Sequence, residues 1–144
     1  VAMSEELVFV GDVDGDGADD FASGQGYRTG PDGALPGKVV VFSGRTRAPL
    51  LELLGTSVGD DFGHSIAKVG DLDGDGRPDV LVGAPGIGGT GKASAHSGLD
   101  GSLLWTSPGM AAYDAYGWSV AGLGDVDGDG VPDVAVGAPK GTCG

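Results

Sequence analysis

The chain has 144 residues, enough for one ordinary domain, with 31 glycines and one cysteine, Cys143, which cannot form an intrachain disulfide. Acidic residues outnumber basic ones 21 to 8, for a net charge of −13, which argues against nucleic acid and anionic membrane surfaces as partners. No segment is long and apolar enough to insert into a bilayer, and the first residues, VAMSEEL, have neither the charged nor the apolar region of a signal peptide.

In chain order, the first apolar run is 6-ELVFVG-11. An aspartate-rich stretch, 11-GDVDGDGADDF-21, leads to 20-DFASG-24. After a long loop, 24-GQGYRTGPDGALPG-37, come 38-KVVVFS-43 and 50-LLELL-54. The pattern then starts again with 65-SIAKVG-70, the stretch 70-GDLDGDGRPDV-80, 79-DVLVGA-84, 92-KASAHS-97 and 102-SLLWTS-107. A third aspartate stretch is 124-GDVDGDGVPDV-134. These runs are four to six residues long, rich in Val and Leu and bounded by Gly, Pro and Asp, which predicts strands in antiparallel hairpins. No window of ten or more residues keeps a helical period. An offset of 54 lays the second unit on the third, and an offset of 59 lays the first aspartate stretch on the second. The chain therefore reads as about two and a half copies of one unit, at 1–59, 60–113 and 114–144. Four short strands per unit of about fifty residues predict an all-β chain of β-propeller-type blades, a partial propeller.

Four aspartates recur at the same places in each stretch, so 12 of the 21 acids belong to one device. Counted from Asp71, they fall at positions 1, 3, 5 and 9, with Arg77 at position 7. Alternating positions of a tightly curled loop point inward. Three carboxylates, the position 7 carbonyl and a closing carboxylate then make an oxygen cage suited to a hard cation, Ca²⁺ well ahead of the stricter Mg²⁺. Gly76 allows the sharp bend. Like charges at this density repel without an ion and are drawn together through one. An EF-hand is excluded, because position 12 is Ser23, Val82 or Val136 instead of Glu and the flanks read as strands.

The combination 62-FG-63, 70-GDLDGDGRPD-79 and 83-GAP-85, repeated as 116-YG-117, the aspartate loop and 137-GAP-139, resembles the FG-GAP repeat of the N-terminal propeller of integrin α-subunits and of many bacterial secreted proteins. The first unit matches in its aspartate loop only, with Met3-Ser4 and Gly24-Gln25-Gly26 in place of the two short motifs. The resemblance implies a seven-bladed propeller with Ca²⁺ in the loops between the first two strands of a blade. It implies three sites here: Asp12, Asp14, Asp16 and Asp20 with the carbonyl of Ala18; Asp71, Asp73, Asp75 and Asp79 with that of Arg77; and Asp125, Asp127, Asp129 and Asp133 with that of Val131.

The remaining residues read as packing. Phe62 and Tyr116 are expected between blades, Trp105 and Trp118 are expected to be buried in strands, and His64 and His96 are expected to pack. Ser65 and Ser119 have no His or Asp at a shared nucleophile-like spacing, and Gly86–Gly91 lacks the Lys-Ser/Thr of a phosphate loop. The expected function is that of a non-catalytic, calcium-stabilised module for protein or glycan binding or adhesion, secreted, periplasmic or at the cell surface. Its open sheet edges are expected to be covered by the remainder of a longer propeller or by a homo-oligomer. A self-assembling structural unit and a fragment of a secreted propeller enzyme, such as a polysaccharide lyase, are the rival readings.

Overall fold

The computed structural model describes residues 5–86 and 89–139, and every regular element among them is a strand. The first sheet holds β1 (Glu5–Gly11) and β2 (Asp20–Gln25), then β5 (Lys38–Phe42) and β6 (Pro49–Leu54), antiparallel in the order β1-β2-β5-β6. Between β2 and β5 lies a small hairpin, β3 (Arg28–Gly30) and β4 (Gly33–Leu35), in the stretch expected to be a plain loop. Its turn, Pro31-Asp32-Gly33, carries ordinary hairpin chemistry, but the three-residue strands on either side are too short to show a period of two.

The second sheet repeats the first with β7 (Ser65–Val69), β8 (Asp79–Ala84), β9 (Lys92–His96) and β10 (Leu103–Pro108), each paired antiparallel with the next. A third sheet has two strands, β11 (Ser119–Gly124) and β12 (Asp133–Gly137). The first strands β1, β7 and β11 lie side by side, so the sheets stack like blades around a common edge. These are blades of a partial β-propeller, as the runs and their spacing predict.

The core lies between blades. Val10, Ala22, Val39 and Val41 of the first sheet meet Phe62, Ile66, Val80 and Val82 in one apolar cluster. Ala67, Val69, Leu81, Ala93 and Ala95, on the opposite face of the second sheet, form another with Tyr116, Val120, Val134 and Val136. Alternation along β2 and β5 shows one covered face, whereas β8 is buried at all six positions because a blade sits on each side of it. Burying each such valine contributes about 1.5–3 kcal/mol.

Candidate metal centres

The three aspartate loops join β1 to β2, β7 to β8 and β11 to β12, and they have the same local build. Gly15 and Gly17 adopt φ of 78° and 89°, Gly74 and Gly76 of 81° and 88°, and Gly128 and Gly130 of 81° and 90°. Only glycine enters this region without strain, so the two glycines curl each loop. The curl turns backbone N–H groups inward onto the position 1 carboxylate. Asp12 accepts the N–H groups of Gly15, Asp16 and Gly17 at 2.5, 3.0 and 2.9 Å. Asp71 accepts those of Gly74, Asp75 and Gly76 at 2.6, 3.1 and 2.8 Å, and Asp125 those of Gly128, Asp129 and Gly130 at 2.7, 3.1 and 2.9 Å. The Gly17 N–H is the main cause that holds the Asp12 carboxyl below the usual range, and the Gly76 N–H does the same for Asp71.

The position 9 aspartate closes the loop and ties it to the blade. Asp20 and Asp79 are fully buried. Asp20 accepts the Val13 N–H at 2.8 Å through one oxygen and the Gly44 N–H, from the β5–β6 turn, at 2.9 Å through the other. Asp79 does the same with Leu72 at 2.6 Å and Gly98 at 2.9 Å. Asp133 accepts the Val126 N–H at 2.8 Å. Burial pushes the Asp79 carboxyl upward, so a charge here is costly unless further donors or a cation compensate it.

Three carboxylates thereby converge in each loop. One oxygen each from Asp12, Asp14 and Asp20 lies within 4.8 Å of the others, and the same holds for Asp71, Asp73 and Asp79 and for Asp125, Asp127 and Asp133. The donor set is entirely oxygen and anionic, which fits a hard divalent cation and not a soft one. Asp16, Asp75 and Asp129 stand outside these triads. Each accepts the N–H of the position 7 residue instead, from Ala18, Arg77 and Val131 at 2.9, 2.7 and 2.8 Å.

Of the other residues singled out, Phe62 is buried in the cluster between the first two blades, and Tyr116 and Trp105 pack on the second cluster. Trp118 does not lie in a strand: it precedes β11, is 48% exposed, and leans over the His64 ring at 4.4 Å, so its predicted burial is corrected. His64 faces Asp61 at 2.9 Å, and His96 packs edge-on against Phe62. The Ser65 hydroxyl donates to the Gly117 carbonyl across the blade boundary. Met3, Ser4 and Cys143 lie outside the described residues, as does part of Gly86–Gly91. Sequence reasoning missed Arg45, whose guanidinium donates to Asp16 at 3.0 Å from a turn 29 residues away.

A family model described as an FG-GAP-like repeat matches residues 71–136, which takes in the second and third aspartate loops. "Integrin alpha pat-2" of Caenorhabditis briggsae is 36% identical over 91% of this chain and 13% of its own length. "Integrin alpha-V" of Gallus gallus is 33% identical over 93% of this chain and 14% of its own, and "Integrin alpha-IIb" of Homo sapiens is 36% identical over 91% and 14%. The chain belongs to the FG-GAP repeat family. It spans about a seventh of the length of these integrin α relatives.

The FG-GAP signature residues are the joints of this fold. Within a blade, the Gly63 N–H donates to the Gly83 carbonyl at 3.1 Å, and the Gly117 N–H to the Gly137 carbonyl at 3.0 Å. Between blades, the Gly117 carbonyl occupies the space a Cβ on Gly83 would fill, and the Gly63 carbonyl does so at Gly24. The first unit has Gln25-Gly26 in place of Ala-Pro, yet has this glycine. Gly11 and Gly70 similarly leave room for the Pro78 and Pro132 rings of the following aspartate loops, so successive loops touch.

Proposed function

We propose that the chain is a non-catalytic, integrin-like propeller segment, stabilised by calcium, that presents a protein- or glycan-binding surface outside the cytoplasm, where Ca²⁺ is millimolar. The threefold recurrence of one carboxylate triad on one loop geometry carries the reading. Each repeat, at 1–59, 60–113 and 114–144, would hold one ion with its four aspartates and the position 7 carbonyl. Bound there, Ca²⁺ would neutralise the converging carboxylates and lock the hairpin tip. The protein's own part is to present them, through the glycine curl, the N–H donors on position 1 and the buried position 9 carboxylate. The integrin α relatives support an adhesion role, and the Ser65 hydroxyl, committed to a backbone carbonyl, supports a non-catalytic one.

The outer face of the first blade supplies a partner surface. Leu7 and Phe9 are 66% and 71% exposed, and Phe9 lies in register with the stacked pair Phe21–Phe42. The same face of the second blade is covered by the first blade, with Ile66 buried at the place of Leu7. A further blade, from the rest of a propeller or from a second copy, fits the exposed face by the same packing.

Calcium binding is tested by calorimetry and by melting. Extracellular Ca²⁺ modules bind with Kd of about 10⁻⁴–10⁻³ M. At a tenfold to hundredfold excess, each loop adds about 1.4–2.7 kcal/mol by linkage. Three ions per chain and a fall in Tm of more than about 10 °C on chelation are expected. No bound calcium, with a melting curve indifferent to EDTA, would refute the reading.

A further inference from the structure

The three loops share a backbone but not an electrostatic setting. In the first loop, Arg45 donates through Nε to the Asp16 Oδ2 at 3.0 Å and through Nη2 to the Asp16 carbonyl at 2.8 Å. Its guanidinium also flanks Gly17 at 3.8 Å from where a Cβ would stand. From the other side comes Arg77, at position 7 of the second loop. Its guanidinium lies so close over Gly15 that a Cβ there would collide with it. Two fixed positive charges therefore sit on the first carboxylate cluster, supplied by two different blades.

The second loop has neither. Gly74 and Gly76 have nothing within 4 Å of the same point. The residue at the Arg45 place in the second blade is Leu99, and the one at the Arg77 place in the third is Val131. The free Oδ2 of the position 5 aspartate shows the same contrast. It meets a guanidinium at Asp16 but a neutral hydroxyl, Ser97 Oγ at 3.2 Å, at Asp75. Among the described residues, no ion pair reaches the acids of the second or third loop.

A cation entering the first loop must work against two nearby positive charges and must compete with Arg45 for Asp16. We propose that Arg45 and Arg77 are built-in counter-ions of the first loop, making it a weaker calcium site than the second loop and later to fill. The inference rests on the calcium reading above. It also means that the first loop holds its shape with less help from an ion, because its repulsion is already partly neutralised. Arg77 has two roles in this scheme: its carbonyl belongs to the second loop and its side chain to the first.

The test follows amide proton–nitrogen correlation spectra of the whole chain through a calcium series. Gly17, Gly76 and Gly130 each donate to the position 1 aspartate of their own loop, so each reports one site. Gly76 is expected to reach its midpoint at lower calcium than Gly17. Arg45→Gln and Arg77→Gln should each lower the Gly17 midpoint about three- to tenfold and leave Gly130 unmoved. Both changes are at side chains that reach across the surface, and Arg45 is 60% exposed, so the fold should survive them. The converse, Val131→Arg, places a guanidinium over Gly74 as Arg77 lies over Gly15, and should raise the Gly76 midpoint by a similar factor. A Gly17 midpoint at or below that of Gly76, or one unmoved in both glutamine variants, overturns the ranking alone. Silence of all three glycines throughout the series overturns the calcium reading, and the ranking with it.

Discussion

At the scale of single residues, environment separates groups of the same type. Position 1 and position 9 of a loop are both aspartate, yet Asp71 is held low by the Gly76 N–H while Asp79 is pushed up by burial. His96 shows the same logic. Burial lowers its pKa, because the ring is enclosed between Phe62 and the strand, with Nδ1 donating to the Gly101 carbonyl and Nε2 accepting from Ser94. A histidine whose folded pKa lies below its unfolded value contributes stability that is complete above the unfolded pKa of 6.5. That contribution is lost as pH falls from there through the folded value. His96→Phe, which copies the aligned Phe42, removes this contribution. In calcium, the wild-type Tm should fall faster than that of the variant between about pH 7.5 and pH 5.5. Parallel pH profiles in scanning calorimetry would show that His96 does not titrate with folding.

At the scale of elements, blade follows blade through glycine. Gly83 lies in β8, buried, with the Gly117 carbonyl and the Ser65 hydroxyl where its Cβ would stand. The obstruction is backbone on one side, so it cannot swing away as a flexible side chain would. Gly83→Ala should cost about 1–3 kcal/mol by overpacking, a Tm loss of roughly 3–10 °C, and should loosen β11 and β12 before the first sheet. Hydrogen exchange resolved by strand reads that order, and a uniform loss across all three sheets would contradict it. The strands themselves were legible in the sequence because short apolar runs such as 38-KVVVFS-43 stand between bounding glycines and prolines. The β3–β4 hairpin was not, since 28-RTG-30 and 33-GAL-35 bury almost nothing and so leave no apolar pattern.

At the scale of the whole molecule, the exposed Leu7 and Phe9 of the first blade give the proposed self-association a test. Repeat packing makes each face complementary to the opposite face of its neighbour, so the proposed occupant of the uncovered first-blade face is a further blade, from a longer propeller or a second copy. Phe9→Lys installs the residue found at the aligned place in the second blade, Lys68, whose neighbour across the blade boundary is Gly11. Sedimentation in millimolar Ca²⁺ should show mass rising with concentration for the parent chain, and less so for Phe9→Lys. A concentration-independent monomer in both would remove the self-association reading.

The chain's order of letters alone determined the repeat, the all-β class and the position of every aspartate in the triads. Those are local matters: short bounded apolar runs, glycine-permitted bends and charge spacing act within a few residues. The tertiary structure alone decided that Asp20 and Asp79 reach the turns at Gly44 and Gly98, that Trp118 stays half in solvent, and that two arginines converge on the first loop. Such contacts join residues that only blade packing brings within a hydrogen bond's length, and no period or spacing along the chain encodes the distance between them.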